Sequence, residues 1–237
     1  MAGDHEHDGT GDGAAGATPA GGAGSARLPA ALAAIGGLAI PGFVAGVVGD
    51  LPLLRLVAKP VPVLCMAVYA GIQRTRFGGI VAAGLVLGAA GDVLLEKSPK
   101  LFIAGLVAFL LAHVAYVVAF VGDERRLRIA RAVPPFALGV GVLAILWPGL
   151  GALRVPVTAY MLVICAMGWR AAARVDAGRR GAWVALAGAV LFLASDTALG
   201  VARFVAPFPG YRLVILSTYW AAQLCIALST RGAARAR

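Results

Sequence analysis

Long apolar runs, separated by short polar segments, fill the chain from residue 28 to residue 229. A helix needs about 20 mostly apolar residues to cross the hydrocarbon core of a bilayer. The runs of roughly this length are 28–48, 58–73, 78–95, 101–121, 132–150, 153–171, 181–203 and 211–229. The pattern predicts an all-α fold, a polytopic integral membrane bundle of eight transmembrane helices.

Composition supports this prediction, because 60% of the residues are hydrophobic and 14% are charged. Soluble domains average about 45–50% and 25%, and a soluble fold of this size has too little interior to cover so much apolar surface. We expect one membrane domain at 28–230. A Gly/Ala-rich tail at 1–27, whose composition predicts disorder, precedes it, and a short basic tail at 231–237 follows it.

The net charge of +10 raises nucleic-acid binding as a hypothesis. The basic residues stand in short clusters between apolar runs, however, which favours a membrane protein without a nucleic-acid partner. Placing both termini in the cytoplasm assigns 14 basic residues to the inner side and 7 to the outer side. The positive-inside rule therefore predicts cytoplasmic termini, in what we expect to be a bacterial plasma membrane.

Two short similarities relate the halves of the chain. The second span opens Val61-Pro62-Val63 and the sixth opens Val155-Pro156-Val157, while the third and seventh spans carry Asp92 and Asp196. One interpretation is a parallel repeat of four plus four spans. Chance similarity between apolar helices is the other.

Charged groups at membrane depth cost roughly 2.5–3.5 kcal/mol each on insertion scales, so polar residues within the spans indicate function. The candidates are Lys59, Asp92, His113, Tyr116, Tyr160, Asp196, Tyr219 and Gln223. Structural alternatives remain: Asp92 solvated at the interface, Asp196 in an ion pair, His113 as a satisfied core residue, and Lys59 snorkelling to the interface.

With cytoplasmic termini, Asp92 lies near the outer end of its span and Asp196 lies somewhat deeper on the same side. Lys59 begins its span on that side. Tyr160 and Tyr219 lie within about two helical turns of the same side in their own spans, and His113 is near mid-depth. This agreement in depth predicts a shared cavity in the outer half of the membrane.

These residues also carry a family resemblance. The matching stretches are 59–63, 91–95, 102–116, Tyr160-Met161, 188–196, and Tyr219 with Gln223. In their order and spacing they resemble the YhhN/TMEM86 family of membrane lysoplasmalogenases. The resemblance implies an eight-helix enzyme that hydrolyses the vinyl ether bond of a lysophospholipid among membrane lipids. It would release a fatty aldehyde and glycerophosphoethanolamine or glycerophosphocholine, and no cofactor or metal is implied.

Vinyl ether hydrolysis needs an acid that protonates carbon and a negative group that stabilises the oxocarbenium ion. Burial disfavours the charge of a carboxyl group, and two neighbouring carboxyls divide such roles, as in glycosidases. Asp92 and Asp196 are the acidic residues within the predicted spans. We expect the deeper Asp196 to be the acid and Asp92, closer to water, the base, although the reverse assignment is open.

The other candidates form the predicted substrate-binding set. Lys59 suits the phosphate, Tyr160 and Tyr219 suit the head-group ammonium, and His113 suits a carboxyl or a water. Tyr116 and Gln223 complete the set. Two other classes stay open: a proton-coupled transporter or flippase for a lipid or small amphiphile, and a non-catalytic scaffold. The sequence does not define the head group, the chain length or the oligomeric state.

Overall fold

The structure, a computed structural model, describes residues 22–176 and 179–231. In this part of the chain the regular structure is helical throughout. The α-helices are α1 Gly22–Val48, α2 Pro52–Ala58, α3 Val61–Gly71, α4 Arg76–Lys97, α5 Phe102–Asp123, α6 Val133–Leu146, α7 Arg154–Arg174, α8 Arg180–Phe204 and α9 Tyr211–Leu228.

Eight segments are long and apolar enough to cross a membrane, which confirms the predicted fold class. The second of these spans, Pro52–Gly71, consists of α2 and α3 together. The predicted N-terminal tail at 1–27 lies largely outside the described residues, and α1 begins at Gly22 rather than at residue 28. All but the first residue of the predicted C-terminal tail also lies outside them.

The second span begins at Pro52 and not at residue 58 as predicted. Proline suits the first turn of a helix, because its missing N–H has no partner there. The sequence prediction excluded this turn because Arg55 and Lys59 interrupt the apolar run. Helix α2 ends before Lys59-Pro60, and α3 continues the span. The sequence predicted Lys59 at the start of its span, but Lys59 lies inside it.

Six helices form a closed ring. In order around it, each packing against the next, they are α3, α4, α5, α7, α8 and α9, and α9 returns to α3. Helix α1 packs outside the ring on α3, and α6 packs outside it on α7. Most contacts between two spans are matched by a contact between the two spans that stand four places later in the chain; for example, α4 packs on α5 as α8 packs on α9. This is the arrangement that a four-plus-four parallel repeat predicts.

Small residues bring α4 and α5 close together. A Cβ atom at Gly91 would lie 2.6 Å from the ring of Phe109, and one at Gly105 would lie 2.5 Å from the side chain of Leu95. Without these side chains the helix backbones can approach closely, as is common in membrane bundles. The contact fixes the C-terminal half of α4, which carries Asp92, against the aromatic face of α5.

Candidate active site

A cavity of about 110 Å³ is lined by five helices of the ring, α4, α5, α7, α8 and α9, with further lining from Lys59 and from α6. Its polar lining consists of Lys59, Asp92, Tyr160, Ser195, Asp196 and Tyr219. The rest is aromatic and aliphatic, and includes Phe102, Leu106, Phe109, Leu146 and Phe204. Five of the residues predicted from sequence therefore meet in one largely apolar chamber.

Asp92 is enclosed, with a side chain 2% exposed. Its Oδ2 accepts a hydrogen bond of 2.8 Å from the Tyr219 hydroxyl, and its Oδ1 lies 3.9 Å from Lys59 Nζ. The interpretation of Asp92 as a solvated interface residue is therefore wrong. Asp92 is also more enclosed than Asp196, whose side chain is 16% exposed, although the sequence placed Asp92 closer to water.

Asp196 has a different environment. Its Oδ2 accepts a hydrogen bond of 2.5 Å from the Tyr160 hydroxyl, and His113 Nε2 lies 3.9 Å from the same oxygen. Within the described ranges, no Lys or Arg side chain forms an ion pair with this carboxyl. The polar neighbours of Asp196 are therefore a phenol and an imidazole, whereas Asp92 has a cation.

The two carboxyls occupy equivalent places in the two halves. Asp92, on the third span, meets Lys59 from the second span and Tyr219 from the eighth. Asp196, on the seventh span, meets Tyr160 from the sixth and His113 from the fourth. Each carboxyl thus has one partner from its own half and one from the other half, but the chemistry of the partners differs.

Aromatic rings connect these two groups on the core side of the cavity. Ring centroids are 5.2 Å apart for His113 and Tyr160, 4.4 Å for His113 and Phe192, and 5.4 Å for Phe192 and Tyr219. All three contacts are edge-to-face, a favoured geometry for aromatic pairs. The rings hold the two tyrosines at fixed positions beside the carboxyls.

Three residues predicted to bind substrate lie behind the cavity and do not line it: His113, Tyr116 and Gln223. The Tyr116 hydroxyl donates to Gln223 Oε1 at 2.7 Å, and Gln223 Nε2 donates to the Tyr219 hydroxyl at 3.1 Å. This chain of bonds ends at Asp92. The sequence identified polar groups in apolar helices but did not distinguish the cavity wall from the layer behind it.

Sequence reasoning missed Glu96, which lies within α4 and so adds an acidic residue to the spans. Its carboxylate accepts a hydrogen bond of 2.9 Å from Arg55 Nε and lies 3.4 Å from Lys59 Nζ. Arg55 also contacts Asp50 at 3.0 Å. The signal was present in the spacing, because residues four apart share a helix face: Arg55 and Lys59 face Asp92 and Glu96.

No group of three or more His, Cys, Asp or Glu side chains in the described parts of the chain is arranged to hold a metal ion. What the site offers chemically is a pair of carboxyls, two phenols and an ammonium group around an apolar chamber. This set can donate and accept protons next to a bound hydrocarbon chain.

Fold and site together define a polytopic α-helical membrane protein with two enclosed carboxyl groups in a largely apolar cavity. The chain belongs to the YhhN family, whose sequence model matches residues 54–230. This confirms the resemblance seen in the sequence.

Several curated proteins are similar to the chain. Lysoplasmalogenase TMEM86B of Homo sapiens is 37% identical over 183 residues, which are 72% of this chain and 73% of the relative. Lysoplasmalogenase TMEM86A of Bos taurus is 37% identical over 155 residues, 63% and 64% of the two chains. A lysoplasmalogenase of Mycobacterium tuberculosis is 36% identical over 152 residues, 60% and 56%. No solved structure matches the chain.

Proposed function

We propose that this protein is a lysoplasmalogenase. It hydrolyses the vinyl ether bond of a lysophospholipid to a fatty aldehyde and glycerophosphoethanolamine or glycerophosphocholine. The observation that carries the proposal is the pair of enclosed carboxyls facing one apolar cavity, in a family whose similar members are named lysoplasmalogenases. The aliphatic and aromatic lining suits the hydrocarbon chain of such a lipid.

The two carboxyls take different roles because their surroundings differ in charge. The Lys59 ammonium, 3.9 Å from Asp92, stabilises a carboxylate there. Asp196, like Asp92, accepts a hydrogen bond from a phenol, but in the described part of the chain it has no Lys or Arg partner. We therefore assign Asp196 as the general acid and Asp92 as the general base. This is the assignment made from sequence, but its reason is now the partners of each carboxyl and not their depth.

In the first step, Asp196 transfers its proton to the vinyl carbon that does not bear oxygen. The double-bond electrons form the new C–H bond, and the neighbouring carbon becomes an oxocarbenium ion. The Asp92 carboxylate stabilises this positive charge and takes a proton from a water molecule. The water oxygen bonds to the cationic carbon, which gives a hemiacetal. A positioned acid or base of this kind typically contributes a factor of about 10²–10⁴ to the rate.

In the second step, the hemiacetal collapses and both carboxyls return to their starting states. Asp92 gives its proton to the glycerol oxygen as the C–O bond breaks. Asp196 takes the proton of the hemiacetal hydroxyl as the aldehyde C=O forms. One water is consumed in each cycle, and the proton that each carboxyl exchanged in the first step is restored.

The surrounding polar residues position the catalytic pair. The Tyr160 and Tyr219 hydroxyls each bind the Oδ2 atom of one aspartate. Asp196 can then present Oδ1 to the substrate, whereas Oδ1 of Asp92 lies beside the Lys59 ammonium. Gln223 and Tyr116 hold the Tyr219 hydroxyl from behind. His113 packs against the Tyr160 ring beside Asp196. Lys59 acts as the charge partner of Asp92.

The proposed orientation places both termini in the cytoplasm of a bacterial plasma membrane, so that the cavity lies in the outer half of the bilayer. The bias of 14 basic residues to 7 supports this orientation. The substrate then enters from the outer leaflet.

A single assay tests the proposal. Purified protein is given a lysoplasmalogen or its saturated alkyl-ether analogue, and aldehyde release is measured. We expect aldehyde from the vinyl ether alone. Asp92→Asn and Asp196→Asn should each lower kcat by about 100-fold or more, since each removes one proton-transfer group. Glu124→Gln, the same chemical change in a carboxyl at the end of α5 opposite the residues that line the cavity, serves as the control.

Absence of aldehyde from both lipids, or full activity in both aspartate variants, would overturn the proposal. The transporter hypothesis makes a separate prediction. If purified protein in vesicles moved the alkyl-ether lipid between leaflets and released no aldehyde from the vinyl ether, the carrier function would be favoured.

A further inference from the structure

The cation that sequence reasoning assigned to the substrate phosphate is already paired. Lys59 Nζ lies 3.4 Å from Glu96 Oε2 and 3.9 Å from Asp92 Oδ1. Arg55, the next cation along this face, contacts Asp50 at 3.0 Å and Glu96 at 2.9 Å. A phosphate would compete with carboxylates for each of these groups, so this side of the cavity is a poor anion site.

A different cation stands where α5 begins and α8 ends. The Arg203 guanidinium carbon lies 3.7 Å from the centroid of the Phe102 ring and 5.9 Å from that of Phe204. Both rings line the cavity and pack edge to face, 6.2 Å apart. Arg203 itself is exposed. Among the residues that the structure describes, no carboxylate forms an ion pair with it.

Stacking on an aromatic ring suits Arg203 to bind an anion. A guanidinium held over a ring face keeps its N–H donors at its edge, where they can form paired hydrogen bonds to phosphate oxygens. Arg154 and Arg212, also at the outer ends of helices, stack on Trp147 and Tyr211, which are not part of the cavity wall. Arg203 thus contacts the cavity wall and, within residues 22–176 and 179–231, has no carboxylate partner.

The spacing along α8 matches the dimensions of the substrate. Arg203 follows Asp196 by seven residues, which places both on one helix face about 10 Å apart along the axis. Leu199 and Gly200, between them, line the cavity. In a lysoplasmalogen, about seven bonds separate the carbon that is protonated from the phosphorus. At the reach of an extended chain this is roughly 8 Å, and the flexible Arg203 side chain can cover the remainder.

We infer that Arg203 binds the phosphate of the lysophospholipid and that α8 sets the distance from this phosphate to the acid at Asp196. The inference rests on the proposed function for the identity of the substrate. The phosphate is bound at the mouth of the cavity, and the head-group amine extends beyond it into water.

Binding of uncleavable ligands tests the inference without catalysis. Purified protein is titrated calorimetrically with an alkyl-ether lysophospholipid and with an alkylglycerol of the same chain length that lacks phosphate. We expect the wild-type protein to prefer the phosphorylated ligand. Arg203→Ala should reduce this preference about tenfold, as expected for loss of a charge-assisted hydrogen bond. Arg203→Lys should retain part of it, because lysine supplies the charge but not the planar fork.

The matched control is Arg154→Ala, which removes a stacked arginine outside the cavity wall and should keep the full preference. The inference is overturned if the wild-type protein shows no preference, if Arg203→Ala keeps it, or if Arg154→Ala loses it equally. Retained thermal stability in Arg203→Lys separates a binding defect from misfolding.

The two proposals fail separately. Arg203-dependent binding without aldehyde release would refute the hydrolase and leave the phosphate site. Hydrolysis with a preference that does not depend on Arg203 would do the reverse.

Discussion

Each carboxyl at the cavity accepts a hydrogen bond from a tyrosine on another helix, and these two phenols invite a direct test. Tyr160→Phe and Tyr219→Phe keep the ring contacts but remove the hydroxyls that hold Asp196 and Asp92. We expect each change to lower kcat roughly tenfold, with little effect on KM, since a buried hydrogen bond to a charged or reacting group is lost. Tyr69→Phe, at a separate groove between α1, α3 and α9, is the control. Wild-type kcat in both site variants would contradict the positioning role.

Lys59 gives a second prediction, because its two candidate roles affect different kinetic constants. If Lys59 is the charge partner of Asp92, Lys59→Met should lower kcat by tenfold or more and leave KM nearly unchanged, and Lys59→Arg should restore part of kcat. If Lys59 is instead a phosphate ligand, Lys59→Met should raise KM and preserve kcat. Steady-state kinetics with a lysoplasmalogen distinguish these outcomes, and a pure KM effect would refute the role proposed above.

For individual residues, the sequence predicted which side chains come together better than it predicted their positions relative to the cavity. Asp92, Asp196 and Lys59 were identifiable because a charge within an apolar run is costly. Glu96 and Arg203 were not identified from hydropathy, because a charge at the end of an apolar run has the same pattern whether it faces only water or contacts a residue of the cavity wall, as these two do. His113 and Gln223 were identified but were predicted to bind substrate, whereas they lie behind the cavity wall. Which residues line the wall depends on how the helices are rotated against each other.

Among the elements, the position of α4 against α5 depends on Gly91. A Cβ atom at Gly91 would lie 2.6 Å from the Phe109 ring, whereas one at Gly79 would meet nothing within 4 Å. We expect Gly91→Ala to lower the thermal stability of the purified protein and its activity, because α4 must move away from α5. Gly79→Ala, the same change in open space, should be neutral or should stabilise by up to about 1 kcal/mol, the helix preference of alanine over glycine. Equal unfolding temperatures for the two variants would contradict this account of the packing.

The elements themselves were predicted well, because span length and apolar character follow directly from the thickness of the bilayer. The main error was the start of the second span. In the sequence, Arg55 and Lys59 resemble a polar loop. Their pairing with Glu96 on α4 explains why they lie within the span formed by α2 and α3. Such a pairing depends on contacts between distant parts of the chain.

For the whole molecule, orientation in the membrane can be tested by labelling. In a variant with Cys65, Cys165 and Cys225 replaced by alanine, a cysteine is introduced at Lys100 or at Arg125. Lys100 is exposed at the start of the span Pro99–Asp123, and Arg125 is exposed just after the end of that span. A membrane-impermeant maleimide added to intact cells should label Lys100→Cys and not Arg125→Cys. After the cells are opened, both should react. The opposite pattern would place the cavity in the inner half of the bilayer and would overturn the proposed topology.

The ring of α3, α4, α5, α7, α8 and α9 has a consequence for how two chemically distinct carboxyls arise. A symmetric dimer of identical four-span chains would present two identical carboxyls, and any substitution that added a cation beside one would add it beside both. Joined in a single chain, the two positions vary independently. One half places an ammonium group, Lys59, beside Asp92, while the matching helix of the other half places a phenol, Tyr160, beside Asp196. Covalent linkage of the halves thus permits two carboxyls on corresponding spans to have partners of different chemistry.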